Sequence, residues 1–164
     1  MQSSLFIRYA TVLGLVSAQA SAAPRIGELD VRPGQAGVPC FTVSEAEERR
    51  SGSPDFQAIS VIDSAAKTPL WSMAMPKERS FAMTFLMCIP YAGRSPVLPQ
   101  TPAAPLQTGR AYDVTIETRA RPQAGAPHTY RARFCLAARQ GARAQLRLLG
   151  TGNLDPKLPH ACGD

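Results

Sequence analysis

Histidine is nearly absent, with two in 164 residues, and tryptophan occurs once. The two histidines are His128, in a proline-rich stretch, and His160, beside Cys162. Neither neighbours a nucleophile motif such as G-x-S-x-G, so Ser-His-Asp hydrolysis has no visible seat. Closely spaced cysteines are missing too. The four present, Cys40, Cys88, Cys135 and Cys162, are too far apart for the C-x-x-C pairs of a zinc site. No apolar run reaches the ~20 residues of a membrane-spanning helix. A clustered basic stripe with interleaved aromatics is also lacking. The arginines are spread along the chain among acids, which argues against nucleic acid as a partner.

What is there defines a folded, exported chain. Hydrophobic residues make up 45% and charged residues 18%. That apolar content is ordinary for a globular domain and excludes disorder throughout, and the length fits one domain. The first residues have the three-part layout of a secretory signal peptide: Arg8, the apolar run Tyr9–Ala18, then small residues up to Ala23. The expected signal is residues 1–22, cleaved after Ala22, and the mature domain is residues 23–164. The first cysteine after the apolar run is Cys40, so no acylated N-terminal cysteine is expected. The mature protein is read as soluble and periplasmic, not as a lipoprotein. Losing Arg8 leaves 18 − 1 = 17 basic against 12 acidic residues, a net charge of +5. That supports attraction to an acidic partner or an anionic envelope surface.

An even cysteine count in an exported chain reads as disulfides, with three pairings open to four cysteines. Strand phase selects among them. Phe41 and Val43 share a face that Cys40 does not. Phe81, Met83, Phe85 and Met87 share a face opposite Cys88. Tyr130, Phe134 and Leu136 face inward, leaving Cys135 outside with Arg131 and Arg133. The expected pairs are Cys40–Cys88, across an outer face, and Cys135–Cys162, tying the tail to the last part of the sheet.

Period-two patterning dominates. Strands are expected around Leu29–Val31 and over 38–43, 56–62, 70–75, 81–89, 111–118 and 130–136, with a weaker one, or a helical turn, over 145–149. Ser44 and Glu47 have capping-box spacing, which predicts one or two helical turns over 44–50. The segment 94–105 carries Pro96, Pro99, Pro102 and Pro105 and is expected to be a long loop. About seven short strands with turn signals between them predict an all-β fold, a single immunoglobulin-like β-sandwich with two disulfides. Leu106, Gly109, Tyr112, Val114 and Ile116 resemble the entry to the sixth strand of fibronectin type III and immunoglobulin-like domains. That likeness implies a tyrosine hydroxyl bonded back to the preceding corner.

Glu45, Glu47 and Glu48 cluster beside Arg49 and Arg50, which reads as a salt-bridged solvated turn rather than a pair of catalytic acids. Met73, Met75, Met83 and Met87 could offer thioethers to cuprous ion, but their phase with Trp71, Phe81 and Phe85 reads as a core stripe. The reading therefore needs no metal, no cofactor and no catalytic residue. Binding loops are the remaining chemistry. In a sandwich the 44–55 and 120–129 loops share one end, offering Glu45, Glu47, Glu48, Arg49, Arg50, Arg119, Arg121 and His128 to a partner. The 94–105 segment is expected at the other end.

Cys40-Phe41-Thr42-Val43, Cys88-Ile89-Pro90 and Phe134-Cys135-Leu136 resemble a group of small exported type VI secretion immunity proteins. The likeness runs from about Val38 to Leu136. It implies a periplasmic protein that binds and neutralises a toxin or effector delivered by neighbouring cells. The alternatives are a periplasmic small-ligand or copper-binding sandwich, or a structural or adhesive component of the envelope.

Overall fold

The computed structural model describes residues 25–119, 125–138 and 144–162. The expected signal peptide and Arg121 lie outside the described residues. The described chain is all-β apart from one short helix and a 3-10 turn at Gln35–Gly37. In chain order come β1 (Ile26–Pro33), β2 (Pro39–Val43), α1 (Glu45–Ser51), β3 (Asp55–Asp63) and β4 (Pro69–Ala74). Then follow β5 (Phe81–Ala82), β6 (Ile89–Pro90), β7 (Ala111–Thr118), β8 (Thr129–Ala137) and β9 (Gln145–Thr151). The strand order is β4-β3-β7-β8-β1-β2-β6, with β5 paired to β3 and β9 to β8. The described residues thus form nine strands in one curled mixed sheet, in place of the seven expected.

β1 is where the sheet turns. Ile26, Gly27 and Glu28 pair in parallel with Thr129, Tyr130 and Arg131 of β8. Leu29–Pro33 then pair antiparallel with β2. A Cβ on Gly27 would sit 2.4 Å from the Tyr130 ring, so only glycine lets the backbone lie against that side chain. β8 gives its remaining edge residues, from Ala132 onward, to β9.

The curl brings the two ends of the sheet together over one core. Phe41 of β2 meets Phe134 of β8, with ring centroids 5.6 Å apart. Trp71 of β4 meets Tyr91, just past β6, edge-on at 5.5 Å. Leu29, Val43, Val61, Val114 and Ile116 fill the space between and are all buried. In β3, Phe56 and Ile59 both face this core although they are three residues apart. A bulge between Phe56 and Ala58 restores the phase.

Tyr112 makes the expected corner. The Gln107 N–H donates to its hydroxyl at 2.7 Å, and that hydroxyl donates back to the Gln107 carbonyl at 3.1 Å. Gly109, at φ +82°, turns the chain between them. Tyr112→Phe removes both bonds at a fully buried phenol. It should lower stability by about 2 kcal/mol in urea unfolding; a loss below about 0.5 would show that the corner carries no weight.

Two expectations change. The stretch 81–89 is not one strand: only its ends pair, as β5 and β6, and a turn lies between. The 94–105 segment does not sit at the far end of the fold. It runs beside β4, where Ala74 N–H donates to Pro99 O, Thr101 N–H to Ser72 O and Ala104 N–H to Leu70 O. Prolines are tolerated there because an edge segment does not need every N–H. The Tyr91 hydroxyl holds this segment by donating to Ala104 O at 2.5 Å. Burial, with Tyr112 nearby, pushes that phenol up to about 12.

Candidate protein-binding surface

The helix end of the sheet holds most of the described residues expected to bind. Ser44 caps α1, its hydroxyl accepting from Glu47 N–H at 3.1 Å, as the capping-box spacing predicts. Arg119 N–H donates to Asp55 O at 2.9 Å, which places Arg119, just past β7, beside the point where the chain from α1 enters β3.

Within this end the side chains divide into two sets. Glu45 and Arg49 form an exposed i,i+4 pair at 3.0 Å, and Arg50 is also exposed, 3.9 Å from Glu47. Glu47, Glu48 and Arg119 are engaged within the chain. Glu47 is 1% exposed, not solvated as the sequence suggests. It accepts from Arg25 through both oxygens (2.6 and 2.7 Å), from Ser51 Oγ (3.0 Å) and from Glu28 N–H (3.2 Å). Burial opposes its charge, but the Arg25, Glu28 and Ser51 bonds outweigh this and hold the carboxyl below its ordinary value. Its role is to fasten α1 to the start of β1. Arg119 straps the 76–80 loop through the carbonyls of Lys77 and Arg79. His128 is half-buried, and its Nδ1 has no hydrogen-bond partner among the described residues.

Glu48 leads to a feature the period-two pattern hid. Oε1 accepts from Ser53 Oγ at 2.5 Å, and Oε2 accepts from Phe85 N–H at 3.1 Å. The Phe85 carbonyl accepts from Arg32 Nη1 (3.2 Å) and Thr42 Oγ1 (3.2 Å). The same Thr42 hydroxyl reaches Thr84 O at 3.1 Å. The Arg32 guanidinium lies 4.1 Å from the centre of the Phe85 ring. Met87 N–H closes a turn onto Thr84 O at 3.0 Å, and Cys88 is bonded to Cys40. At the tip, Leu86 is 84% exposed and Met87 42%. A large apolar pair is thus held out into water on a turn fixed from both sides.

This turn also explains the cysteine. Every residue of β2 is buried, because the 84–88 turn covers the face of Thr42 and Cys40 that strand phase assigns to the outside. The opposite end repeats the arrangement. Cys135 bonds to Cys162, and the last described segment covers Arg133, whose Nη1 donates to Leu158 O at 2.9 Å. Arg133 is buried and grips Asp113 at 2.5 and 3.0 Å. His160 Nδ1 and Ser64 Oγ share a hydrogen bond of 2.8 Å, which sequence distance concealed. Ser64 is fully buried, so the pair fastens the tail.

The methionines do not converge as a stripe. Met73 and Met83 lie in the core, Met75 packs partly against it, and Met87 is exposed. Among the described residues no three His, Cys, Asp or Glu side chains are grouped to hold a metal, and no helix is long and apolar enough to cross a membrane. An open groove of about 390 Å³ lies on the outer side of β3, β4 and β7, over Ala58, Ser60, Ser72 and Thr115. Glu117 is its one charged lining residue and already accepts from Thr129 Oγ1 at 2.9 Å.

Compared with protein-family models, curated proteins and solved structures, the chain matches none. The class defined by the fold itself is an all-β protein tied by two disulfides, as suits an oxidising, exported environment.

Proposed function

We propose that this chain is a non-catalytic periplasmic protein, exported by a signal peptide, that neutralises a secreted toxin by binding it directly. We read its curled sheet as an immunoglobulin-like sandwich. In that reading β1, β2 and β6 form one layer, β4, β3, β7 and β8 form the other, and β9 is added to β8. The switch of β1 between the layers and the Tyr112 corner support it.

The observation that carries the binding reading is the Phe85–Met87 turn. A soluble protein ordinarily turns its large apolar groups inward, and an ordered exposed pair beside charged groups suits an interface. The resemblance to type VI immunity proteins supplies the kind of partner. A second reading, small-ligand binding, has the groove over Ser60 and Thr115 in its favour, but its only charge is Glu117, already bonded to Thr129.

The test is a pull-down with oxidised residues 23–164 from lysate of the same species. The expected result is one partner at near-equal stoichiometry that kills cells lacking this protein. A partner harmless to such cells, or none when the secretion machinery is expressed, would sink the immunity reading.

A further inference from the structure

We propose that Leu86 and Met87 are the anchor by which this chain seats on a foreign, net-acidic protein, entering a concave apolar pocket there. This rests on the reading of the chain as a protein-binding module and specifies its contact.

Three observations converge on it. The first is exposure: Leu86 at 84% and Met87 at 42% stand at the tip of a turn rather than scattered over the surface. The second is rigidity. Both backbone groups of Phe85 are bonded, its ring lies against Arg32, and Cys88 is covalently held to Cys40. Such a turn loses little freedom on binding, so its apolar contact is retained as affinity. The third is charge. Arg32 is paired with Asp30 at 2.8 Å, and Glu48 is bonded to Ser53 and Phe85. The groups beside the tip are therefore satisfied within the chain and ask for no charged partner at the contact.

The kind of partner follows from shape and overall charge. Two apolar side chains can fill a concave pocket on a protein, but in a bilayer they bury less than one acyl chain, which alone binds only marginally. A bilayer anchor would also want unpaired basic groups beside the tip, and Arg32 is taken. The chain is net positive. That disfavours a second copy and draws an acidic protein from a distance.

The experiment places a photo-crosslinking amino acid at residue 86 of the full chain in its own cells, with residue 97 as control. Val97 is also strongly exposed, on a different segment. The expected result is an adduct with one foreign, net-acidic protein from residue 86, none from residue 97, and loss of the adduct with Met87→Asp. With that protein purified, Leu86→Asp should weaken binding about 30-fold, as for a central interface anchor, and Leu86→Ala by at least about tenfold. Val97→Asp should stay within about twofold. Circular dichroism and intact disulfides check that the variants fold. No adduct at 86, an adduct with lipid or a second copy, a net-basic partner, or binding indifferent to both residue 86 variants would overturn the anchor. A partner held at 86 that is no toxin would keep the anchor and remove the immunity reading. A toxin bound through another face would do the reverse.

Discussion

Replacing Cys40 and Cys88 together by serine should lower unfolding stability by about 4 kcal/mol, the largest loss expected from any single link in the molecule. The bridge closes 48 residues of chain, and loop-closure entropy grows with that length. The same pair at Cys135 and Cys162 closes 27 and should cost about 3.5 kcal/mol. Urea unfolding of the two double variants, beside the oxidised wild type, checks both values and their order. The 40–88 variant has a local signature as well. Glu48, Arg32 and Thr42 still hold Thr84 and Phe85, but nothing covalent then holds Cys88 to β2. Amide exchange should therefore rise at Leu86–Cys88 more than at Thr84–Phe85. A loss below about 1 kcal/mol would mean that the unfolded chain gains little freedom when the bridge is absent.

Glu47 gives the second large effect. Glu47→Ala should cost about 3 kcal/mol and Glu47→Gln about 2. The carboxylate is fully buried, while the Arg25 side chain is 33% exposed and can take up water when its partner is removed. The loss should therefore fall at the low end of what breaking a buried pair costs. The pH dependence has a definite sign. The folded carboxyl lies below its ordinary value of 4.5, so its contribution is complete above about that pH. It is lost as the pH falls through the lower folded value. Asp63 acts in the same direction. The Ala66 and Ala65 N–H groups and Arg110 lower its carboxyl against the opposing effect of burial. Stability should fall on acidification below about pH 4.5, and Glu47→Gln should shallow that fall. Equal acid slopes for the variant and wild type would show that Glu47 is not its source.

The disulfide pairing and the tyrosine corner were legible because both follow from strand phase and short spacing. Ser44 and Glu47 announced α1 for the same reason. The errors share one physical origin. Phe81, Met83, Phe85 and Met87 alternate as a strand should, but the backbone at Phe85 is captured by Glu48, Arg32 and Thr42, each more than thirty residues away. No local pattern carries such a contact. Glu47 reads as solvated because Arg25 reaches it from 22 residues upstream. Cys40 and Cys135 were assigned to outer faces, which is right for the pleat. Both faces are nonetheless covered by later chain, so Cys40 and Cys135 are buried, while their partners Cys88 and Cys162 are exposed and half-buried. The prolines of 94–105 rightly forbade a regular strand but did not disclose the edge that they lie against.

The parallel pairing of β1 with β8 sets an order on assembly. A growing chain has no strand partner for Ile26–Glu28 until Thr129–Arg131 have been made, and the bridge to Cys135 waits for Cys162. Early products can pair β3 with β4 but cannot close the core around Phe134. Such a nascent chain stays open and threadable for most of its synthesis, then sets late and all at once.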